Sequence, residues 1–267
     1  MQNKMEKYHL KGKIIIKGKI VVKTGLAIGG STTSLDIGGM DSPVIKDGKG
    51  VPYIPGSSIK GKLRSLLEQS YYPLRAKDQK DGKGYFHPSQ SIHMFDNNTV
   101  DSIMRIFGAP DTKEPVRCIF RDAYLDYDHF EKNREELFKS LELTFTEDKI
   151  ENVIDRISAR AMPRHLERVP MGAYFDFEII FDLFSEEDKE LLKTLFQGLR
   201  LLEDDYLGGS GSRGSGKVSF VGMSMLFRSI DYYKNEQKET SLVDKEFNLK
   251  DIESEDWFAN VIGKINI

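Results

Sequence analysis

Three stretches of this chain carry residue types that act on phosphate. In the first, Pro55-Gly56-Ser57-Ser58-Ile59-Lys60-Gly61-Lys62-Leu63-Arg64, the apolar residues Ile59, Leu63, Leu66 and Leu67 keep helical spacing to about Ser70, and a serine at 57 or 58 is a good N-cap. A helix N-terminus leaves amide N–H groups for an anion, Gly56 permits close backbone approach, and Lys60 and Arg64 share a face four residues apart. Ser58, Lys60 and Arg64 thus make a candidate phosphate clamp. The same residues also describe an ordinary capped helix with solvated basic side chains.

The second stretch is Asp205-Tyr206-Leu207-Gly208-Gly209-Ser210-Gly211-Ser212-Arg213-Gly214-Ser215-Gly216-Lys217. Glycines such as Gly209 let backbone amides line a phosphate, and Arg213 adds a bidentate donor. Gly211 to Lys217 matches the GxxxxGK of a nucleotide-binding loop, but Val218 stands where the Mg²⁺-binding hydroxyl belongs. Lys217 to Phe220 reads as strand instead of helix, so a nucleoside triphosphatase is rejected. A purely structural glycine loop remains the alternative. The third stretch, Gly29-Gly30-Ser31 through Gly38-Gly39-Met40-Asp41-Ser42-Pro43, brings the carboxylate of Asp41 near the clamp. Such a carboxylate holds a divalent metal or orients a 2′-hydroxyl toward a neighbouring phosphate. An Asp before Ser-Pro is also a common turn former.

Other chemistries find less support. His9, His87, His93, His129 and His165 show no paired metal spacing and read as surface or core residues. No serine sits in a nucleophile elbow. The single cysteine, Cys118, rules out an internal disulfide and any Cys-rich zinc site, and fits a reducing compartment.

The elements that must position these stretches are set by periodicity. From Lys11 to Lys23, Ile14, Ile16, Ile20 and Val22 alternate with Lys13, Lys17 and Lys19, as in a half-buried strand with a basic face. Cys118–Tyr124 and Leu141–Phe145 read as strands, and Phe175, Phe177, Ile179, Phe181 and Leu183 mark a further one. Ser185 opens a helix with an apolar stripe from Leu191 to Leu202, and a last strand runs from Lys217 to about Leu226. Residues 71–115 are polar and punctuated, with one helical stretch around Ser102 to Phe107, and read as an insertion. Residues 146–171, rich in Arg with Pro163 and Pro170, suit a projecting element. Without the insertions the order is strand, helix, strand, strand, helix, strand: an α+β, ferredoxin-like fold of the split βαβ kind, which includes RNA-recognition folds.

The 267 residues suffice for one large domain with insertions, and no apolar run approaches the ~20 residues of a membrane span. The expected setting is the cytoplasm. The formal net charge of −3 argues against a binder working through bulk positive charge. Its distribution is uneven: basic residues dominate from Lys4 to Arg64, whereas nine acids outnumber five lysines after residue 230.

Taken together, Thr24-Gly25-Leu26-Ala27-Ile28-Gly29-Gly30-Ser31, Asp41-Ser42-Pro43, Ile54-Pro55-Gly56-Ser57-Ser58, Phe120-Arg121-Asp122-Ala123, Glu151-Asn152-Val153-Ile154-Asp155-Arg156-Ile157, Pro163-Arg164 and the glycine-rich stretch ending at Gly214 resemble the repeated backbone subunit of type III-A CRISPR effectors, in the RAMP superfamily. The resemblance covers most of residues 11–227. It departs at Ala27, where a histidine is common.

The resemblance implies a single RAMP domain over 1–267, with an RNA-recognition-like palm, a lid at 71–115, a β-hairpin thumb within 146–171 and an acidic extension at 228–267. It implies that copies stack along a guide RNA and that other type III effector subunits join them. It further implies that Asp41 cleaves complementary target RNA beside each thumb with a divalent cation, Mg²⁺ being expected, leaving a 5′-hydroxyl and a cyclic phosphate. Ser58, Lys60, Arg64, Gly209 and Arg213 would hold guide RNA, while Arg156, Met162 and Arg164 would meet the displaced base. The alternative is a guide-binding structural subunit that never cuts. A processing ribonuclease of the same superfamily is disfavoured, since no credible His or Tyr general base is identified near the clamp.

Overall fold

The computed structural model describes residues 8–30, 42–71, 97–109, 114–252 and 255–267. Along the chain the elements are β1 (Gly12–Val22), β2 (Tyr53–Ile54), α1 (Gly56–Tyr71), α2 (Asn97–Phe107), β3 (Cys118–Phe120), β4 (Ala123–Leu125), α3 (Tyr127–Lys132), β5 (Glu147–Ile154), β6 (Ala161–Arg168), β7 (Tyr174–Leu183), α4 (Leu191–Asp204), β8 (Val218–Ser229), α5 (Ile230–Tyr233), β9 (Thr240–Ser241) and α6 (Glu255–Gly263). The main sheet runs β2-β4-β7-β1-β8-β9, with β3 also on β7. Strand β1 is flanked by β7 and β8, both antiparallel. This is the ferredoxin-like palm: β7 lies between β1 and the strands that come after the first helices, as a split βαβ unit requires.

Period-two alternation builds the core. Ile14, Ile16 and Ile20 of β1 and Phe175, Phe181 and Leu183 of β7 are fully buried, and the register sets Ile14 against Phe181 and Ile20 against Phe175. Leu63 and Leu67 of α1, Ile103 and Ile106 of α2, and Leu195 and Leu199 of α4 join the same cluster. Helix α2, within the span expected to be a polar insertion, therefore contributes core residues. Residues 72–96 and 110–113 of that span lie outside the described residues.

On the opposite face of β1 the expected basic strip is compensated. Lys13 pairs with Asp182 at 2.5 Å, Lys17 with Glu178 at 3.2 Å, and Lys19 with Asp176 and Asp126 at 2.5 and 2.8 Å. These are cross-strand or neighbouring acids, so Lys13, Lys17 and Lys19, three of the five lysines expected on that face with Lys11 and Lys23, are paired within the protein.

Four local expectations change. The stretch 118–124 breaks into β3 and β4 at Arg121-Asp122, and Leu141–Phe145 is irregular. Phe145 instead joins the rings of Tyr127 and Phe130, while β2 takes the sheet position beside β4. Helix α1 begins at Gly56, one residue before the serines expected to cap it. The turn after Ser185 is a 3-10 helix, Glu186–Glu190, before α4 begins.

The acidic C-terminal segment is part of the core. Phe247, Trp257 and Phe258 surround Phe196 of α4, and several acids are locally paired, such as Asp244 with Lys264 at 2.8 Å. Among the described residues no helix is long and apolar enough to cross a membrane.

Candidate nucleic-acid interface

The β5–β6 hairpin stands off the main sheet as a two-stranded unit in its own register, Glu147 opposite Arg168 through Ile154 opposite Ala161. Its tip is closed by Asp155, whose Oδ1 accepts the amides of Ile157 and Ser158 at 2.9 and 2.7 Å. Those hydrogen bonds hold the Asp155 carboxyl below the usual carboxylate range. Arg156 lies in this exposed turn, and Ile157 beside it is almost wholly exposed. At the base of the hairpin, Glu167 N donates to Ser42 O, and the two segments form a bridge between Ser42 and Leu166. The residue immediately after Asp41 is thereby fastened to the hairpin. Asp41 itself lies outside the described residues.

The second glycine-rich stretch is drawn against the end of β1. Gly209 N donates to Ala27 O at 2.7 Å, Gly216 N to Gly25 O at 3.0 Å, and Leu207 N to Gly216 O at 2.8 Å. Gly208 and Gly216 have φ of +77° and +87°, and a Cβ at either would overlap a carbonyl oxygen, of Ala27 or Leu207. The glycines are therefore required by close approach and by left-handed backbone. The Gly209 amide is spent within the protein.

These two features face one another. A cleft of about 520 Å³ is lined by Ser42, by Glu151, Met162, Pro163, Arg164, His165 and Leu166 of the hairpin, and by Ser210 and Arg213 of the glycine loop. Arg213 Nε lies 2.9 Å from Glu151 Oε2, and its Nη2 donates to Ser210 Oγ at 2.8 Å. Met162 is half exposed and Arg164 is exposed.

The structure thus brings Met162, Arg164 and Arg213 together beside the residue next to Asp41, with Gly209 adjoining Ser210. Ser58, Lys60, Arg64 and Arg156 do not line this cleft. Arg64 is committed elsewhere, with Nε on Glu68 at 2.7 Å and Nη1 on the Gly108 carbonyl at 2.8 Å. At the start of α1 the Gly56 amide donates to Asp122 Oδ1 at 2.8 Å, and the Ser58 amide to Pro55 O at 2.9 Å. A Cβ at Gly56 would overlap the Phe120 carbonyl.

The contact from α1 to the glycine loop comes instead from Lys62, 2.8 Å from Asp205 Oδ2 and 3.6 Å from the centroid of the Tyr206 ring. Sequence reasoning did not single out Lys62, Glu151, Ser210 or His165, which borders the cleft with Nδ1 2.6 Å from Asp148 Oδ2. Among the described residues no group of three His, Cys, Asp or Glu gathers as a metal site.

Comparison with known proteins decides the family. Residues 19–219 match the RAMP superfamily. The chain is 41% identical to the CRISPR system Cms endoribonuclease Csm3 of Methanocaldococcus jannaschii, covering 98% of this chain and 99% of that one. The chain belongs to the Csm3 family. The Csm3 of Streptococcus thermophilus is 43% identical, over 74% of this chain and 82% of its own length. Among solved structures, the Csm3–Csm4 subcomplex of a type III-A CRISPR-Cas interference complex aligns with a TM-score of 0.55 and 33% identity, covering 96% of this chain and 98% of that one. In this Csm3-family chain the superfamily match takes in both glycine-rich stretches and the hairpin, and ends at the start of β8.

Proposed function

We propose that this chain is a guide-RNA-binding backbone subunit of a type III CRISPR effector, acting in the cytoplasm, and an endoribonuclease that cuts complementary target RNA at regular intervals. The observation that carries the reading is the single cleft shared by the Ser42 segment, the hairpin and the glycine loop. In it Arg213 and Arg164 would donate hydrogen bonds to phosphate and Met162 would act as an apolar wedge, beside Ser42, the residue that follows Asp41 in the sequence.

In this reading copies of the chain stack along the guide, other effector subunits cap the row, and sequence is read by guide-target pairing instead of by the protein. Lys60, on α1 away from the cleft, and the paired Arg64 contribute to guide binding at a distance from the cut. Met162 and Arg164 on the hairpin hold a base out of the duplex, so that the adjoining ribose and phosphate adopt an in-line geometry. The 2′-oxygen then attacks the neighbouring phosphorus, the bond to the 5′-oxygen breaks, and a cyclic phosphate and a 5′-hydroxyl result. Asp41 positions the 2′-hydroxyl or the divalent cation; solvent water takes the proton from the 2′-oxygen and supplies one to the leaving 5′-oxygen.

The donor set suits a hard cation that takes one carboxylate together with phosphate oxygens and water, as Mg²⁺ does. Asp41 is the carboxylate that would hold the ion, while Glu167 stays paired with Lys46 at the base of the hairpin. A divalent cation there would stabilise the charge that develops on the phosphate.

The test is a labelled complementary RNA offered to the reconstituted, guide-loaded assembly. Products at a constant spacing are expected. An uncut target in a complex that binds it would move the chain to the structural role.

A further inference from the structure

Glu151 is held between two cations from different elements. Its Oε1 lies 2.8 Å from Lys149 Nζ on the same strand, and its Oε2 lies 2.9 Å from Arg213 Nε in the glycine loop. The charge of Lys149 against Glu151, with Arg213 adding to it, holds the Glu151 carboxyl below the usual carboxylate range, so it is ionised at neutral pH. Ser210 completes the group by accepting a hydrogen bond from Arg213. Two oxygens of one anion, one facing a guanidinium and one an ammonium, is also how a phosphodiester presents its two non-bridging oxygens to basic side chains.

We propose that Arg213 and Ser210 of the cleft, with Lys149 on the adjoining strand, form a phosphodiester subsite, that Glu151 occupies it in the free chain, and that RNA binds by displacing this carboxylate. The inference rests on the cleft being an RNA site. Arg213 is 61% exposed on its side chain, and exposed ion pairs are weak. An RNA strand that brings a phosphate and releases counterions can therefore replace the carboxylate. If Glu151 were only a brace between the two walls of the cleft, removing its charge would loosen Arg213 and weaken RNA binding. If it stands in for phosphate, removing its charge strengthens binding. The two accounts differ in sign.

The experiment is fluorescence anisotropy of a labelled single-stranded RNA with the full chain across a KCl series, for wild type, Glu151→Gln, Glu151→Ala, Lys149→Ala and Arg213→Ala. Glu151→Gln is expected to bind about two- to fivefold tighter at low salt, the scale of one exposed ion pair, with a steeper salt dependence. Glu151→Ala is expected to act in the same sense, and Lys149→Ala and Arg213→Ala in the opposite one. In the Arg213→Ala background the gain from Glu151→Gln should shrink, because the two residues are coupled.

Glu151 variants that fold like wild type and bind RNA equally well or more weakly would overturn the subsite while leaving the RNA reading intact. Failure of wild type to bind RNA at any salt would overturn both. Inorganic phosphate in place of chloride, at equal ionic strength, is expected to preserve the difference between wild type and Glu151→Gln. Its disappearance would mark a site for free phosphate and overturn the RNA assignment.

Discussion

Glu167 accepts the backbone amide of Val44 at 2.9 Å, tying the base of the β5–β6 hairpin to the segment just after Asp41. The same carboxylate, only 2% exposed, accepts the Thr146 hydroxyl at 2.6 Å and pairs with Lys46 Nζ at 2.5 Å. Glu167→Ala strands these donors, and the cost expected is about 1–3 kcal/mol in urea unfolding. Faster hydrogen exchange at Val44 should accompany it. Glu167→Gln keeps an acceptor for the amide and should lose less. Unchanged exchange at Val44 in the alanine variant would show that the segment is held by other contacts.

A second carboxylate holds the palm from within. Asp188 is fully buried and accepts from Arg105 at 2.8 Å and from Arg117 at 3.0 Å, as well as from the amides of Phe184 and Ser185. Removing one member of a buried ionic group leaves the others uncompensated, so Asp188→Ala is expected to cost roughly 3–5 kcal/mol. A thermal melt of the purified variant measures it. A loss below about 1 kcal/mol, the scale of a surface pair, would contradict the assignment.

Asp122 caps α1 from outside the helix. Its Oδ1, on the Gly56 amide, takes the capping role expected of Ser57 or Ser58. Asp122→Ala should lower stability by about 0.5–2 kcal/mol and Asp122→Asn by less, since the amide oxygen still accepts. Ser57→Ala should have little effect. The reverse ranking in denaturant midpoints would restore the serine cap.

Glu203 gives stability a pH dependence. Burial pushes its carboxyl up, against the opposing hydrogen bond from the Phe220 amide at 2.6 Å. Because the folded pKa is the higher one, the contribution of the protonated group is fully present below 4.5, its ordinary value, and is lost as pH rises through the elevated folded pKa. Glu203→Gln retains an acceptor for Phe220 and should remove that loss. The check is the urea midpoint of both proteins at acidic and neutral pH; parallel curves would contradict it.

The strands and helices with sustained alternation or an apolar stripe, β1, β7, β8 and α4, were legible because each buries one face against the same core. The glycine loop was legible from composition, and Arg213, expected from that loop to touch RNA, borders one cleft with Met162 and Arg164, which only the family resemblance implied. What local pattern does not contain is register. The lysines of β1 look free until β7, far along the chain, sets Asp182, Glu178 and Asp176 against them. The same holds for Arg213, whose partner Glu151 lies on another element, and for Arg64, whose partner is the carbonyl ending α2. Leu141–Phe145 has strand-like alternation, but Phe145 packs on Tyr127 and Phe130 instead of entering the sheet.

The most direct test of the catalytic role of Asp41 is cleavage of labelled complementary RNA by the guide-loaded assembly containing wild type or Asp41→Ala, with Mg²⁺ and after its removal by chelation. Regularly spaced products from wild type with Mg²⁺, lost on chelation and lost in Asp41→Ala while target binding persists, are predicted. Equal cleavage by wild type and Asp41→Ala would contradict the central claim that Asp41 is the catalytic carboxylate.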